Sequence, residues 1–279
     1  MPSAAEMHSR NFTLPRDTQP PRWWVRNDPV ATAFFNALSA TFPQGERFFI
    51  ESVKHYRDRV SPELRKQIAV FAQQESLHTR EHVVFNRLIT EAGYDAALID
   101  QRTKERFDFG RKIARPIDHL AVTASLEHFT AIMAHAALFY DDDLEGVSDE
   151  LKNLWRWHAV EEIEHKAVAF DTMVEMIASW SPLRRWIFRT STMFISTVQF
   201  LDMLFRSMAL FFRKDGINTF GTWLKVFHFL YVKPGMFRRI AGPYFAYYRP
   251  GFHPWQIDDR MLANNAEAEM EIVYAPQPA

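Results

Sequence analysis

Two short runs of the sequence repeat one pairing of an acidic residue with an imidazole. Glu75 lies three residues before His78 in QQESLHTREH, and Glu162 lies three residues before His165 in WHAVEEIEHKAVAF. Residues three or four apart lie on one face of an α-helix, so each pair would present a carboxylate beside an imidazole. Such oxygen and nitrogen donors bind divalent ions of the first transition row. The spacing therefore predicts metal ligands on two separate helices.

The helix faces that carry these pairs are otherwise apolar. Ile68 shares the face of Glu75. Ala169 shares the face of Glu162, and so does His158, which lies four residues before that glutamate. Burying a charged carboxylate on an apolar face costs several kcal/mol unless an opposite charge compensates for it. We therefore expect a bound metal ion, with His158 as an additional ligand.

Carboxylates from two further helices complete the expected set. Glu46 shares its helix face with Phe49 and Ile50, whereas Glu51 lies on a charged face. Glu127 is the one acidic residue in the central part of its helix. The first ion is assigned to Glu46, Glu75 and His78, and the second to Glu127, His158, Glu162 and His165. No catalytic residue is predicted beyond these ligands.

Neighbouring polar residues leave several alternatives open. Glu161 fits nearly the same arc as Glu162, which is preferred because it reproduces the spacing of the first pair. Glu161 is then a candidate for a residue that contacts the metal ligands without binding the ion itself. His82 is either a group that orients a ligand or a satisfied core histidine. Asp171 either bonds a ligand histidine or caps a helix or faces solvent, while Glu164 is predicted to face solvent.

Four long helices would position these residues, and helical periodicity gives their bounds. They are Ala31 to Arg59 (with a break at Pro43–Gly45 left open), Pro62 to Gly93, Pro116 to Tyr140, and Ser148 to Ser179. Turns join the first two and the last two helices, the latter at 141–150, and the mixed segment Tyr94 to Arg115 joins the two pairs. That connectivity is typical of ferritin-like bundles.

The predicted fold class is therefore all-α, a ferritin-like four-helix bundle with additional C-terminal helices. Residues 1–28 are expected to form an extended arm, and residues 29–180 the dimetal-binding bundle. Residues 181–279 are expected to form further helices and an irregular tail that pack on the bundle.

Composition excludes several other kinds of protein. There is no cysteine, which rules out disulfides, thiolate metal sites and cysteine nucleophiles. A formal net charge of −1 at pH 7 argues against a nucleic-acid partner. The first residues lack the apolar core of a signal peptide, and charged residues interrupt the apolar stretch from Trp186 to Phe212. We therefore expect a cytoplasmic protein, with peripheral membrane contact left open.

Four motifs carry a resemblance to a known family. They are GERFF (45–49), QQESLH (73–78), SLEHFTA (125–131) and WHAVEEIEHKAVAFD (157–171). Through them, the chain from Ala31 to Met176 resembles a ferritin-like family known as predicted metal-dependent hydrolases. The run His158, Glu162, His165 is also similar to the His-x-x-x-Glu-x-x-His ligand run of di-iron arylamine N-oxygenases. That similarity implies that the extra histidine binds the second iron.

The leading functional expectation is a dinuclear, di-iron oxygenase or oxidase that acts on a hydrophobic small molecule. Its cofactor would be two iron ions, with manganese as the alternative metal, and its co-reactants would be O2 and an electron donor. The first alternative is a metal-dependent hydrolase that uses a metal-bridged hydroxide. The second alternative is an iron-storage or ferroxidase protein. A homo-oligomer is left open.

Overall fold

The computed structural model describes residues 7–140, 144–270 and 274, and these residues form an all-α protein without a strand. The predicted all-α class is thus confirmed. Residues 1–6 of the expected arm and the first three residues of the expected turn at 141–150 lie outside the described ranges. The α-helices are α1 (Pro29–Lys54), α2 (Pro62–Glu91), α3 (Ala96–Ile113), α4 (Pro116–Tyr140), α5 (Asp149–His165), α6 (Val168–Met176), α7 (Pro182–Lys214), α8 (Phe220–Tyr231), α9 (Met236–Ala246) and α10 (Arg260–Glu269), with a 3-10 helix at Pro254–Gln256.

Two helix pairs form the part of the fold that matters for the predicted site. α1 packs along α2, and α4 packs along α5 and α6. The pairs meet because α1 also contacts α4, and α2 also contacts α5 and α6. Each of the four predicted ligand-bearing helices therefore touches its neighbours across one shared interior. The ferritin-like character of this arrangement and the division into three segments stay predictions.

α1 continues through Pro43, where the sequence left a break open. Proline has no N–H to bond the carbonyl of Ser39 four residues earlier, so that carbonyl needs another partner. Asn86 of α2 donates its Nδ2 hydrogen to Ser39 O at 3.0 Å, and Ser39 Oγ donates to Asn86 Oδ1 at 2.8 Å. The helix thus stays continuous up to Glu46 because its neighbour replaces the missing bond.

Three expectations about the elements are wrong. The segment Tyr94 to Arg115 does not have mixed secondary structure but contains the helix α3, which Asp95 caps. Few residues of α3 are buried, so the apolar periodicity of this helix is weak. The helix expected from Ser148 to Ser179 is divided into α5 and α6 by a turn that includes Lys166, whose Nζ lies 2.5 Å from Asp259 Oδ1. The tail, expected to be irregular, contains α9 and α10.

Candidate metal centre

The structure brings all the predicted ligands into one buried cluster. None of these side chains belongs to a residue more than 4 % exposed. α1 supplies Glu46, α2 supplies Glu75 and His78, α4 supplies Glu127, and α5 supplies His158, Glu162 and His165. Four carboxylates and three imidazoles therefore share one interior. That they bind a metal stays a prediction.

His165 faces three of the carboxylates through one ring nitrogen. Its Nε2 lies 3.1 Å from Glu75 Oε1, 3.3 Å from Glu127 Oε2 and 3.6 Å from Glu162 Oε2. One donor atom each from Glu75, Glu127 and His165 lies within 4.8 Å of the others. Ligands that bind one ion at about 2 Å lie roughly 3–4 Å from each other. These three residues therefore have the spacing of ligands to a common ion.

His78 approaches the same carboxylates from α2. Its Nδ1 lies 3.9 Å from Glu75 Oε2 and 3.8 Å from Glu162 Oε1. Glu75, His78 and Glu162 form a second group of donors within 4.8 Å of one another. Glu75 belongs to this group and to the group of His165, so its two oxygens could serve two ions. Glu75 is accordingly the carboxylate best placed to bridge a metal pair.

His158 lies with a different partner set from the one assigned by sequence. In the structure, donor atoms of Glu46, His78 and His158 lie within 4.8 Å of one another. From the sequence, Glu46 and His78 were assigned to the first ion and His158 to the second. Its Nε2 lies 2.8 Å from Glu162 Oε1, and its Nδ1 lies 2.6 Å from His82 Nε2. His158 thus touches residues from both expected ion sites.

His82 joins His158 to a polar chain that leads away from the cluster. The Nδ1 atom of His82 lies 2.8 Å from Ser39 Oγ, which in turn donates to Asn86. Both ring nitrogens of His82 therefore have partners although the residue is fully buried. Of the two roles considered from sequence, the contact with His158 fits a group that orients a ligand.

Most inward-facing donor atoms of the cluster lack a hydrogen bond of acceptable geometry. Such atoms include both oxygens of Glu75 and Glu127, Glu46 Oε1, Glu162 Oε2, His78 Nδ1 and His165 Nε2. An unsatisfied buried polar group costs about 1–3 kcal/mol, and a charged one costs more. Divalent cations would satisfy these atoms together. The oxygen and imidazole donors fit iron, manganese or zinc better than a soft ion that prefers sulfur.

The protonation of the cluster without metal follows from burial and from close neighbours. Burial raises the pKa of Glu127 to about 8, although the charge of His165 opposes that shift. Burial alone would lower the pKa of His78, but contacts with Glu161 and Glu75 outweigh it and raise the pKa to about 10. Metal ligands must be deprotonated, so metal binding would displace protons from such groups.

The second ring nitrogen of each imidazole in the Glu-x-x-His pairs has a close polar neighbour, which forms a hydrogen bond to His165 and a contact without hydrogen-bond geometry to His78. His78 Nε2 lies 2.9 Å from Glu161 Oε2, and His165 Nδ1 lies 3.1 Å from Gln74 Oε1. Contacts of this kind fix the orientation of a metal-binding imidazole. Glu161 therefore lies behind His78, whereas Glu162 lies inside the cluster. Sequence reasoning missed Gln74, and an amide next to Glu75 on a buried helix face was the available signal.

Two further polar contacts differ in their relation to the cluster. Thr79 Oγ1 donates to Glu46 Oε2 at 2.7 Å and so orients a predicted ligand. Asp171 lies 2.9 Å from His253 Nε2. This partner of Asp171 is not one of the predicted ligand histidines, so the structure gives Asp171 a different contact from the one considered.

Glu164 is buried, and the prediction that it faces solvent is wrong. Arg10 donates to both oxygens of Glu164, at 3.0 and 2.7 Å, and Gln74 Nε2 donates to it at 2.9 Å. The same guanidinium donates to Glu267 Oε2 at 2.8 Å, and the Arg10 backbone N–H donates to Glu161 Oε1 at 2.7 Å. Sequence reasoning missed Arg10 because no local pattern links the N-terminal arm to α5.

An apolar cavity of about 450 Å³ reaches the cluster. Three predicted ligands, Glu46, His158 and Glu162, form part of its wall, and most of the remaining wall comes from α1, α3, α4 and α7. Its lining also includes Ile113 and Ile195, which are exposed to solvent. The cavity therefore connects the cluster to the surface between α3 and α7.

Metal loading is expected to raise the melting temperature of the protein. The folded chain assembles the donor atoms and the unfolded chain does not, so an ion present at a hundred times its Kd adds about 2.7 kcal/mol. For a chain of this size the rise would be about 5 °C or more. Thermal unfolding of chelator-treated protein, with and without added manganese or ferrous iron, measures it. Identical melting curves would contradict metal binding by the buried cluster.

One comparison with known proteins agrees with metal dependence. A family model described as predicted metal-dependent hydrolase matches residues 8–258. No curated protein and no solved structure matches the chain. The match spans all the predicted ligands, the contact of Arg10 with Glu164, and the helices that form the cavity. The chain therefore belongs to the family of predicted metal-dependent hydrolases.

Proposed function

We propose that the protein is a metal-dependent hydrolase that acts on an apolar small molecule. Two divalent first-row ions would be held by Glu46, Glu75, His78, Glu127, His158, Glu162 and His165. The observation that carries this proposal is the set of buried donor atoms that lack hydrogen bonds and converge within a few ångströms. The family description favours hydrolysis over the oxygen chemistry expected first from the sequence.

Bound ions of this type supply Lewis acidity and lower the pKa of a bound water. The chain contributes the surroundings in which that chemistry occurs. Glu46, His158 and Glu162 reach the cavity wall, so a substrate in the cavity lies next to the ligands. Phe42 and Phe49 line the same space, and their rings exclude bulk water and favour an apolar substrate. The outer contacts of His78 and His165 hold the donors in place.

The test of this function is hydrolysis that depends on the added metal. Chelator-treated protein would be reloaded with manganese, zinc or ferrous iron and offered nitrophenyl esters with short and long acyl chains under anaerobic conditions. We expect release of nitrophenol only after reloading, with a preference for the longer apolar chains because the cavity wall is apolar. Turnover that is equal with and without metal would contradict the proposal.

A second candidate is the oxidation of an apolar substrate by O2 at a di-iron centre. The specific observation in its favour is the position of His158 with Glu46 and His78, which makes the donor set rich in imidazole on one side. Oxygen consumption by ferrous-loaded protein distinguishes the two candidates. Product formed in air but not under argon would favour oxidation, and product formed equally in both would favour hydrolysis.

A further inference from the structure

Exposed apolar side chains lie at the solvent end of the cavity and beside it on α3 and α7. We define the mouth rim as Phe109, Ile113, Phe194, Ile195 and Val198, each of which is more than half exposed. Ile113 of α3 and Ile195 of α7 also line the cavity itself. Phe109 lies one turn before Ile113 on α3, and Phe194 and Val198 lie within one turn of Ile195 on α7, so the rim adjoins the apolar wall of the cavity. Exposed apolar side chains that cluster in this way favour a binding face over an ordinary solvated one.

α7 carries this apolar surface along its outer side. Leu183, Ile187, Phe194 and Val198 are exposed and fall within an arc of about 60° on the helix. By length and composition α7 is apolar enough to cross a membrane, yet only 33 % of its most apolar window is buried. It also packs on α1 and α4, so one side is covered by protein and the other is not. This one-sided exposure is typical of helices that lie in a membrane surface.

α8 repeats the pattern on a shorter helix. Phe220, Leu224, Phe227 and Tyr231 are exposed, and their spacing of four, three and four residues places them on one face. The opposite face of α8 is buried through Val226, Leu230 and their neighbours. Two consecutive helices thus direct an apolar stripe outward.

The charge of the same part of the chain is strongly positive. The whole protein has a formal net charge of −1, but residues 176–257 contain eleven Lys and Arg against two Asp, a net charge of +9. The basic residues are Arg184, Arg185, Arg189, Arg206, Arg213, Lys214, Lys225, Lys233, Arg238, Arg239 and Arg249, and the acidic ones are Asp202 and Asp215. Arg189 is buried and the other ten basic residues are at least partly exposed. A basic, apolar surface complements a bilayer that contains anionic lipids.

We propose that the mouth rim and the basic helices α7 and α8 dock onto an anionic lipid bilayer. In this position the cavity opens toward the lipid, and an apolar substrate passes from the membrane to the metal cluster without crossing water. The docking itself stands on the exposed surface and its charge. Only the role of the cavity as a substrate path rests on the proposed function.

A second copy of the chain is a poorer occupant of this face. A symmetric dimer would bring two copies of the same surface together, because a two-fold interface is self-complementary. Each copy would contribute the same positive charge, and like charges held in contact repel. The negative headgroups of a bilayer meet the same charge with attraction. The charge therefore favours the lipid surface.

Vesicle flotation of the full chain tests the proposal. We expect the protein to float with vesicles of phosphatidylcholine and phosphatidylglycerol, and to bind roughly tenfold or more weakly to phosphatidylcholine alone. The double variant Phe194→Ser with Val198→Ser is expected to lower partitioning onto the anionic vesicles by roughly tenfold or more, since two apolar side chains no longer enter the interface. Phe109→Ser on α3 is expected to weaken binding independently.

Met261→Ser is the matched control, because it removes an exposed apolar side chain from α10. Wild-type binding by this control together with weak binding by the rim variants supports the proposal. Equal binding by all variants overturns it. It is also overturned if light scattering shows a wild-type dimer that the rim variants convert to monomers without any change in vesicle binding. Flotation does not require catalysis. A wild-type protein that shows metal-dependent turnover but does not float with vesicles therefore refutes membrane docking and leaves the proposed function unaffected.

Discussion

Glu75→Ala is expected to lose metal binding and to lower metal-dependent turnover by more than about a hundredfold. Changes to groups that merely orient a ligand cost about 10–100-fold, so loss of a ligand shared by two ions should cost more. Glu75 belongs to the donor groups of both His78 and His165. Both of its oxygens lack hydrogen bonds, so they are free to bind ions on two sides.

Elemental analysis of the purified variant, followed by turnover after reloading, measures this effect. Glu91→Ala is the matched control, since Glu91 lies on the same helix but is exposed. The control should keep the metal content and turnover of the wild type. Circular dichroism establishes that both variants remain helical. A folded Glu75→Ala protein with a full complement of metal and normal turnover would place the metal elsewhere.

Arg10→Met is expected to lower the free energy of unfolding by roughly 3–5 kcal/mol, as breaking a buried ion pair does when one charge is left uncompensated. Arg10 is 6 % exposed and Glu164 is 8 % exposed, so little water reaches either group. Without the guanidinium, Glu164 would keep Gln74 as a donor but would lose its counter-charge. The same change also removes the bond to Glu267.

Arg16→Met provides the comparison within the same arm. The side chain of Arg16 is 50 % exposed and lies 3.2 Å from Glu81. Glu81 also has Arg80 and the backbone of Leu14 as donors, so it stays paired in the variant. We expect a loss below about 1 kcal/mol. Urea unfolding of both variants in chelator measures the difference between the two losses in free energy of unfolding. Equal losses would mean that the buried network stabilises the protein no more than a surface ion pair does.

The side chains that meet in the buried cluster could be predicted from the sequence because helical periodicity is a local property. Glu75 and His78, or Glu162 and His165, are separated by less than one turn, so their shared face follows from the geometry of a single helix. The apolar residues around each pair then indicated which face was buried. The choice of Glu162 over Glu161 rested on the same spacing, and in the structure Glu162 lies within the cluster.

Features that depend on distant parts of the chain were not accessible in this way. Glu164 looked like a solvated residue of α5 because its partner, Arg10, lies 154 positions away. The division of α5 from α6 lies where Lys166 reaches Asp259 near the C-terminal end. α3 was missed for another reason: most of its residues are polar and few are buried, so the apolar pattern that identifies a helix is weak.

The contact between Arg10 and Glu267 has a consequence for how the protein is made. These residues are 257 positions apart, so the pair cannot form until almost the whole described chain has left the ribosome. Arg10 is made before Glu161 and Glu164 and can bond both of them without the C-terminal segment, so Glu267 is the last partner to reach this arginine. The set of carboxylates around Arg10 is thus completed last, after the four helices can already associate. Release of the C-terminal segment would mark the moment at which a newly made chain gives Arg10 its last carboxylate partner.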